Sequence, residues 1–265
     1  MRIKTMNFFR VGLNPTNPTE KTIEDFLRGD RDLAGANLRM ANLEYVDLRN
    51  ADLEDADLRG ANLGSVDLRS AYLRDANLRE ADLREADLEG ADLRSADLRY
   101  SNSQFADLRN ANLMGAKLRK ANLRRADLRD ANLMGAKLRK ANLRRANLRN
   151  ANLKYADLRE ADLYRADLRN ADLERADLRE ADLRFADLRR ANLRGADLRG
   201  ANLGRADLEG ADLRDANLRD ADFDGATLFG AKIEGAKVDN AYFGNVSGLT
   251  ISQMEMIEEL GGVIS

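Results

Sequence analysis

The chain has 265 residues, with 44 Lys and Arg against 46 Asp and Glu and a formal charge of −2; a balance so near zero points to no special partner on its own. It contains no Cys, which excludes disulfides and thiolate metal sites, and no His, which removes the commonest general base and metal ligand. No apolar run approaches the roughly 20 residues of a membrane span.

Residues 1–13, MRIKTMNFFRVGL, are basic and carry Met6, Phe8, Phe9, Val11 and Leu13. Arg10 interrupts an apolar stretch already too short for a signal peptide, so a cytoplasmic location is expected. The segment reads as an extended piece packing over whatever follows, an apolar dimer contact being the alternative. Residues 14–19, NPTNPT, hold both prolines and form a turn-rich link. Asn17, Pro18 and Glu20 then read as an N-cap, a first helical position and a third. Ile23, Phe26 and Leu27 make one apolar face, and Gly29 is a suitable stop. A short helix capping the N-terminal end is predicted.

From about Arg31 to Asn245 one unit of five recurs: Ala, then Asp, Asn or Lys, then Leu, then two variable residues. On a helix, Leu every five residues steps by about 140° and visits every face. On one continuous strand, an odd repeat flips Leu to the opposite side each time. Neither element buries these leucines. A short extended piece with Ala and Leu on one side, followed by a corner, does so. A chain that turns once per unit must coil, and stacked coils share one core.

The coil length is legible too. Ala111–Arg125, ANLMGAKLRKANLRR, returns unchanged as Ala131–Arg145, twenty residues on. Every twentieth residue from Asp47 reads Asp67, Asp87, Asp107, Asp127, Asn147, Asp167, Asp187 and Asp207. Four units per coil follow. These consecutive units, written A(D/N)LXX over roughly four-fifths of the chain, resemble the pentapeptide-repeat proteins. The resemblance implies an all-β solenoid, a right-handed quadrilateral β-helix with Leu and Ala inward. The spacing alone requires only a coil. Forty-three units make ten to eleven coils, on the order of 50 Å of rod at the usual interstrand spacing. Short helical caps are expected at both ends, dividing the chain into residues 1–30, 31–245 and 246–265.

Within the repeats, the central position drifts late to Phe223, Leu228, Ile233, Val238 and Phe243. Val46 and Val66 replace Ala twenty apart and predict one local bulge. Residues 101–105, SNSQF, place Ser101 and Ser103 at both inward positions. Each buried hydroxyl needs a partner or costs about 1–3 kcal/mol. A satisfied serine pair or a distorted wall is expected, with a recognition kink beside exposed Tyr100 and Phe105 as the functional reading. After Asn245, Thr250 and Gln253 make a capping box and Leu249 with Met254 a hydrophobic staple. A helix over 251–260 is predicted to lay Met254, Ile257 and Leu260 over the last coil, with Gly261 as its stop.

Charge is unevenly spread. Residues 111–150 hold Lys117, Arg119, Lys120, Arg124, Arg125, Arg129, Lys137, Arg139, Lys140, Arg144, Arg145 and Arg149 against Asp127 and Asp130 only. That is +10 in two coils, which leaves −12 for the rest. Such a basic belt suits phosphates or an acidic protein. It contains no aromatic platform, so base-specific readout is not indicated. Elsewhere, Asp or Asn before Leu and Arg after it give a self-neutralising solvated wall. Regular carboxylates on a convex wall make no dry site, and no nucleotide loop, nucleophile motif or calcium loop is present. No enzyme activity, cofactor or metal is expected.

A rigid rod for protein–protein interaction, partner unknown, is therefore the leading expectation, with nucleic-acid binding through residues 111–150 as the alternative. The resemblance adds another, because the best-understood family members imitate duplex DNA and bind DNA gyrase. That imitation needs a strongly acidic surface, which the arginines following most leucines oppose. A monomer is expected, an end-to-end dimer being the alternative.

Overall fold

A computed structural model describes residues 31–265. The N-terminal segment and the helix expected within residues 1–30 lie outside the described residues. From Asp32 onward, the second residue of each unit bridges in parallel to the residue twenty further on, from Asp32↔Asp52 to Thr227↔Ser247. One coil is thus twenty residues with four corners. We number its sides by unit: face 1 holds residues 31–35 and each segment twenty on, face 2 holds 36–40, face 3 holds 41–45 and face 4 holds 46–50.

The unit works because its backbone donors are all satisfied. In 51–55, Asp52 N donates to Arg31 O of the preceding coil at 2.8 Å, and Leu53 N to Tyr72 O of the next at 2.7 Å. Asp55 N donates to Arg74 O at 3.0 Å, and Ala56 N closes the corner on Leu53 O at 3.1 Å. That leaves Glu54 N, which donates to the side-chain Oδ1 of Asp52 at 3.0 Å. The Asp or Asn of the repeat is therefore the acceptor for the one amide the coil does not pair.

The corner is a β-turn whose third residue has positive φ. Gly35 and Gly115 suit it, at φ of 67° and 68°. Phe105 and Arg125 take the same conformation, at φ of 60° and 58°, at a cost of about 1–2 kcal/mol each. The coils above and below over-determine the backbone there.

Inside, the Ala and Leu positions are buried from Leu33 to Phe243. Each buried Leu contributes about 1.5–3 kcal/mol. Ala lies where the sides of a narrow coil converge. Near the C-terminal end the rings of Phe223 and Phe243 stack at 4.7 Å, one coil apart. No bulge forms at Val46 and Val66. Asp67 N still donates to Val46 O at 3.0 Å, and Val66 is fully buried.

The only regular strands and helix among the described residues close the C-terminal end. Strand β1 (Tyr242–Phe243) precedes helix α1 (Ile251–Glu259), and β2 (Val263–Ile264) then pairs in parallel with β1, Tyr242 opposite Val263. The capping box forms as expected: Gln253 N donates to Thr250 Oγ1 at 3.2 Å and Thr250 N to Gln253 Oε1 at 3.0 Å. Ile257 is fully buried against the core, Leu249 and Met256 partly, and Gln253 Nε2 donates to Ala231 O at 2.9 Å. Leu260, expected in this face, is instead 47% exposed. It occupies the C-cap, and at Gly261 (φ 83°) the chain turns back into β2. No motif in the sequence announces β2, because two residues carry no periodicity.

Candidate functional site

The outward faces follow a local code. In a D-L-R unit, Asp and Arg are two apart, so both point outward side by side. Arg49 shows the result. Its Nε donates to Asp47 Oδ1 at 2.9 Å and its Nη2 to Asp47 Oδ2 at 2.6 Å, while its backbone amide also donates to Oδ1 at 3.1 Å. The fork recurs down the rod, for example at Asp67–Arg69, Asp107–Arg109, Asp157–Arg159 and Asp212–Arg214. The Arg49 side chain holds Asp47 down to about 2, and Asp57, Asp67 and Asp92 are lowered by Arg59, Arg69 and Arg94 in the same way. These arginines are spoken for. The self-neutralising wall expected from sequence is thus built mostly inside single units. The D-x-R spacing carried that signal.

Where Asn or Lys replaces Asp, the arginine is released. Asn122 still accepts the Arg124 amide at 3.3 Å, but it offers no carboxylate to the guanidinium. In the 111–150 segment the single fork of this kind is Asp127–Arg129. The twelve basic residues there do not form a ring. Lys117, Arg119, Lys120, Lys137, Arg139 and Lys140 lie on face 2, and Arg124, Arg125, Arg144 and Arg145 on the adjoining face 3. Arg129 and Arg149 stand apart on face 4. Face 1 carries only Asn112, Asn132, Met114 and Met134 outside. The belt is a patch over two sides and the corner between them. Within it Glu160, from the next coil, pairs with Arg139 at 2.6 Å and Lys140 at 2.8 Å, and Asp162 with Arg144 at 3.1 Å. Lys117, Arg119, Lys120, Arg124, Arg125, Lys137 and Arg145 have no ion pair among the described residues.

The sequence signature described as pentapeptide repeats matches in overlapping blocks from residue 32 to residue 245. The chain belongs to the pentapeptide-repeat family. It is similar to HetL, a pentapeptide-repeat protein involved in heterocyst differentiation regulation from the cyanobacterium Nostoc. The two are 39% identical over 83% of this chain and 94% of HetL, with a TM-score of 0.60. It also resembles QnrB1, a plasmid-mediated fluoroquinolone resistance protein, at 20% identity over 86% of this chain and 94% of that one, with a TM-score of 0.49. Rfr23 from the cyanobacterium Cyanothece shares 31% identity over 44% of this chain and 91% of its own length, with a TM-score of 0.29. No curated protein sequence matches significantly.

In this pentapeptide-repeat protein the stacking of coils supplies what the patch lacks in its own sequence. Aromatic rings twenty residues away lie directly above and below it. Lys120 lies 5.5 Å from the Tyr100 ring and Arg125 5.6 Å from that of Phe105, both on the preceding coil. Arg144 lies 4.4 Å from the Tyr164 ring on the following coil. The absence of an aromatic platform, inferred from residues 111–150 alone, is thereby corrected. Tyr100 and Phe105 are exposed as expected.

Ser101 and Ser103 are both buried, at 1% exposure, and neither hydroxyl has a hydrogen-bond partner among the described residues. The wall is not distorted around them. Ser103 N donates to Asn122 O at 2.7 Å and Asn102 bridges Asn122 in register. The expected satisfied pair and the expected kink are both replaced by an orphaned pair in a regular coil. Among the described residues, Asp87, Glu89 and Asp107 are a carboxylate trio close enough to share a cation. Arg109 already holds Glu89 at 3.1 Å and Asp107 at 2.6 Å. No helix of the described residues is long and apolar enough to cross a membrane.

Proposed function

We propose that this protein is a non-enzymatic rod that docks a macromolecular partner on the basic patch of faces 2 and 3, the partner being first of all a protein with an acidic surface. The observation that supports this most is the set of seven cations left unpaired there. They stand in a wall whose D-L-R units neutralise their own arginines. A charge cluster of this kind steers encounter and sets orientation. In this reading the rod comprises an N-terminal segment over 1–30, ten to eleven coils over 31–245 and a C-terminal lid over 246–265. The lid removes the open coil edge at which another copy would add, which favours a monomer.

A nucleic-acid partner is the second reading. It is favoured by the rings of Phe105 and Tyr164, stacked in column with Arg125 and Arg144, since single strands combine backbone charge with stacking. Imitation of duplex DNA toward gyrase draws no support from the walls, whose Asp columns are neutralised by their own arginines.

Affinity capture from lysate, with and without nuclease and at two salt concentrations, tests both. Wild-type protein is compared with a triple variant, Lys120→Glu, Arg124→Glu and Arg125→Glu. A protein partner that survives nuclease and is lost with the variant supports the first reading. Material lost with nuclease and salt supports the second. Capture unchanged in the variant removes the patch from both.

A further inference from the structure

Between Asp47 and Asp207, before the column passes to Thr227, one rung of the face 4 Asp column lacks its carboxylate. Asp stands at 47, 67, 87, 107, 127, 167, 187 and 207, but residue 147 is Asn. On either side of the gap the column is closed: Arg129 forks with Asp127 and Arg169 with Asp167. At the gap, Asn147 Oδ1 accepts only the Arg149 backbone amide, at 3.4 Å. Among the described residues the Arg149 guanidinium has no acceptor, and its Nε is buried without a partner. Leaving such a charged donor unpaired is costly.

Beside this gap lies a cleft of about 250 Å³, lined by Arg149, Arg169, Asn170, Arg189, Arg190 and Glu209. Arg169 and Arg189 are committed to Asp167 and Asp187. Arg149 and Arg190 have no ion pair among the described residues. Glu209 bounds the C-terminal end, so an anion is favoured toward Arg149 and disfavoured at the far rim.

We propose that face 4 carries an oxyanion site in this cleft, where a phosphate-class dianion supplies the negative charge that Asn147 withholds and is shared by the guanidinium ends of Arg149 and Arg190. Two unpaired guanidiniums in one cleft suit a doubly charged group better than a single carboxylate, and arginine matches its geometry with parallel donors. The site is on a different side from the docking patch and stands or falls independently of it.

The test is the ³¹P line width of inorganic phosphate with the full chain, in a sodium acetate background of matched ionic strength. Wild type is expected to broaden the line. Asn147→Asp, which gives position 147 the residue carried by the other rungs from 47 to 207, lets Arg149 fork with its own unit and is expected to weaken binding about tenfold, the effect of withdrawing charge-assisted hydrogen bonds. Arg190→Ala is expected to weaken it with no change in melting temperature. Broadening by Asn147→Asp equal to wild type overturns the proposal, as does a wild-type line no broader than in protein-free buffer. Circular dichroism confirms the fold of each variant, and Arg149→Ala replaces Asn147→Asp should that chain not fold.

Discussion

Arg129 and Asp127 close on each other within a single unit. Nε and Nη2 of the arginine reach the two carboxylate oxygens at 2.9 and 2.6 Å, while its amide reaches Oδ1 at 3.2 Å. Two residues along face 3's corresponding unit, Arg124 keeps the amide bond to Asn122 and loses the fork. Replacing one carboxylate by an amide leaves the turn intact and frees a cation. The wall thus separates the structural role of the repeat's second residue from its electrostatic one.

Turning Asn122 and Asn142 into Asp therefore weakens the patch without removing an arginine: it engages Arg124 and adds a second carboxylate beside Arg144, which Asp162 already pairs. Arg124 and Arg144 are expected to fork with the new carboxylates. Capture of the proposed acidic partner should fall about as far as with one charge reversal, with circular dichroism unchanged. A pull-down of the double variant beside wild type decides it. Undiminished capture means that released guanidiniums are not what the partner reads.

Acid should loosen the whole rod. The carboxylates of Asp47, Asp57, Asp67, Asp92, Asp157 and Asp182 are all lowered, first by side-chain hydrogen bonds from their own arginines. A lowered folded-state value means stabilisation that is complete above the unfolded value of about 3.9 and is lost as pH falls below it. For Asp47 the loss extends to about 2. Melting temperature is expected to be flat from pH 7 to 5 and to drop between about pH 4 and 2. A flat profile throughout would show that the forks add nothing to stability.

Ser103→Leu is expected to stabilise the protein. It restores the repeat's own residue between Leu83 and Leu123, fills the core and removes an orphaned hydroxyl. The gain should be about 1–3 kcal/mol, read as a higher melting temperature. A lower one would mean that the serine pair has a partner in solution.

Ile257→Ala should release the lid and leave the repeats standing. Ile257 is the one fully buried residue of α1, and such a truncation costs about 2–5 kcal/mol. Contacts in a solenoid run only to neighbouring coils, so the loss should stay local. Hydrogen exchange is the readout: faster amides over 251–265, unchanged amides at residues 111–150. Uniformly faster exchange would show that the end holds the rod together.

Much of this was determined by sequence alone. A period of five that fits neither helix nor strand forces a corner per unit, and the exact return of Ala111–Arg125 as Ala131–Arg145 sets four units per coil. The family, the inward Ala and Leu, and the capping box of Thr250 and Gln253 were legible because each depends on residues within a few positions of one another. Tertiary structure decided what depends on residues twenty apart. It placed Tyr100, Phe105 and Tyr164 against the basic residues of the next coils. It divided the twelve cations among three faces, closed β2 onto β1, and showed Ser101 and Ser103 buried in an undistorted wall with no partner among the described residues. A coil turns chain distance into stacking, so neighbours on the surface are strangers in the sequence.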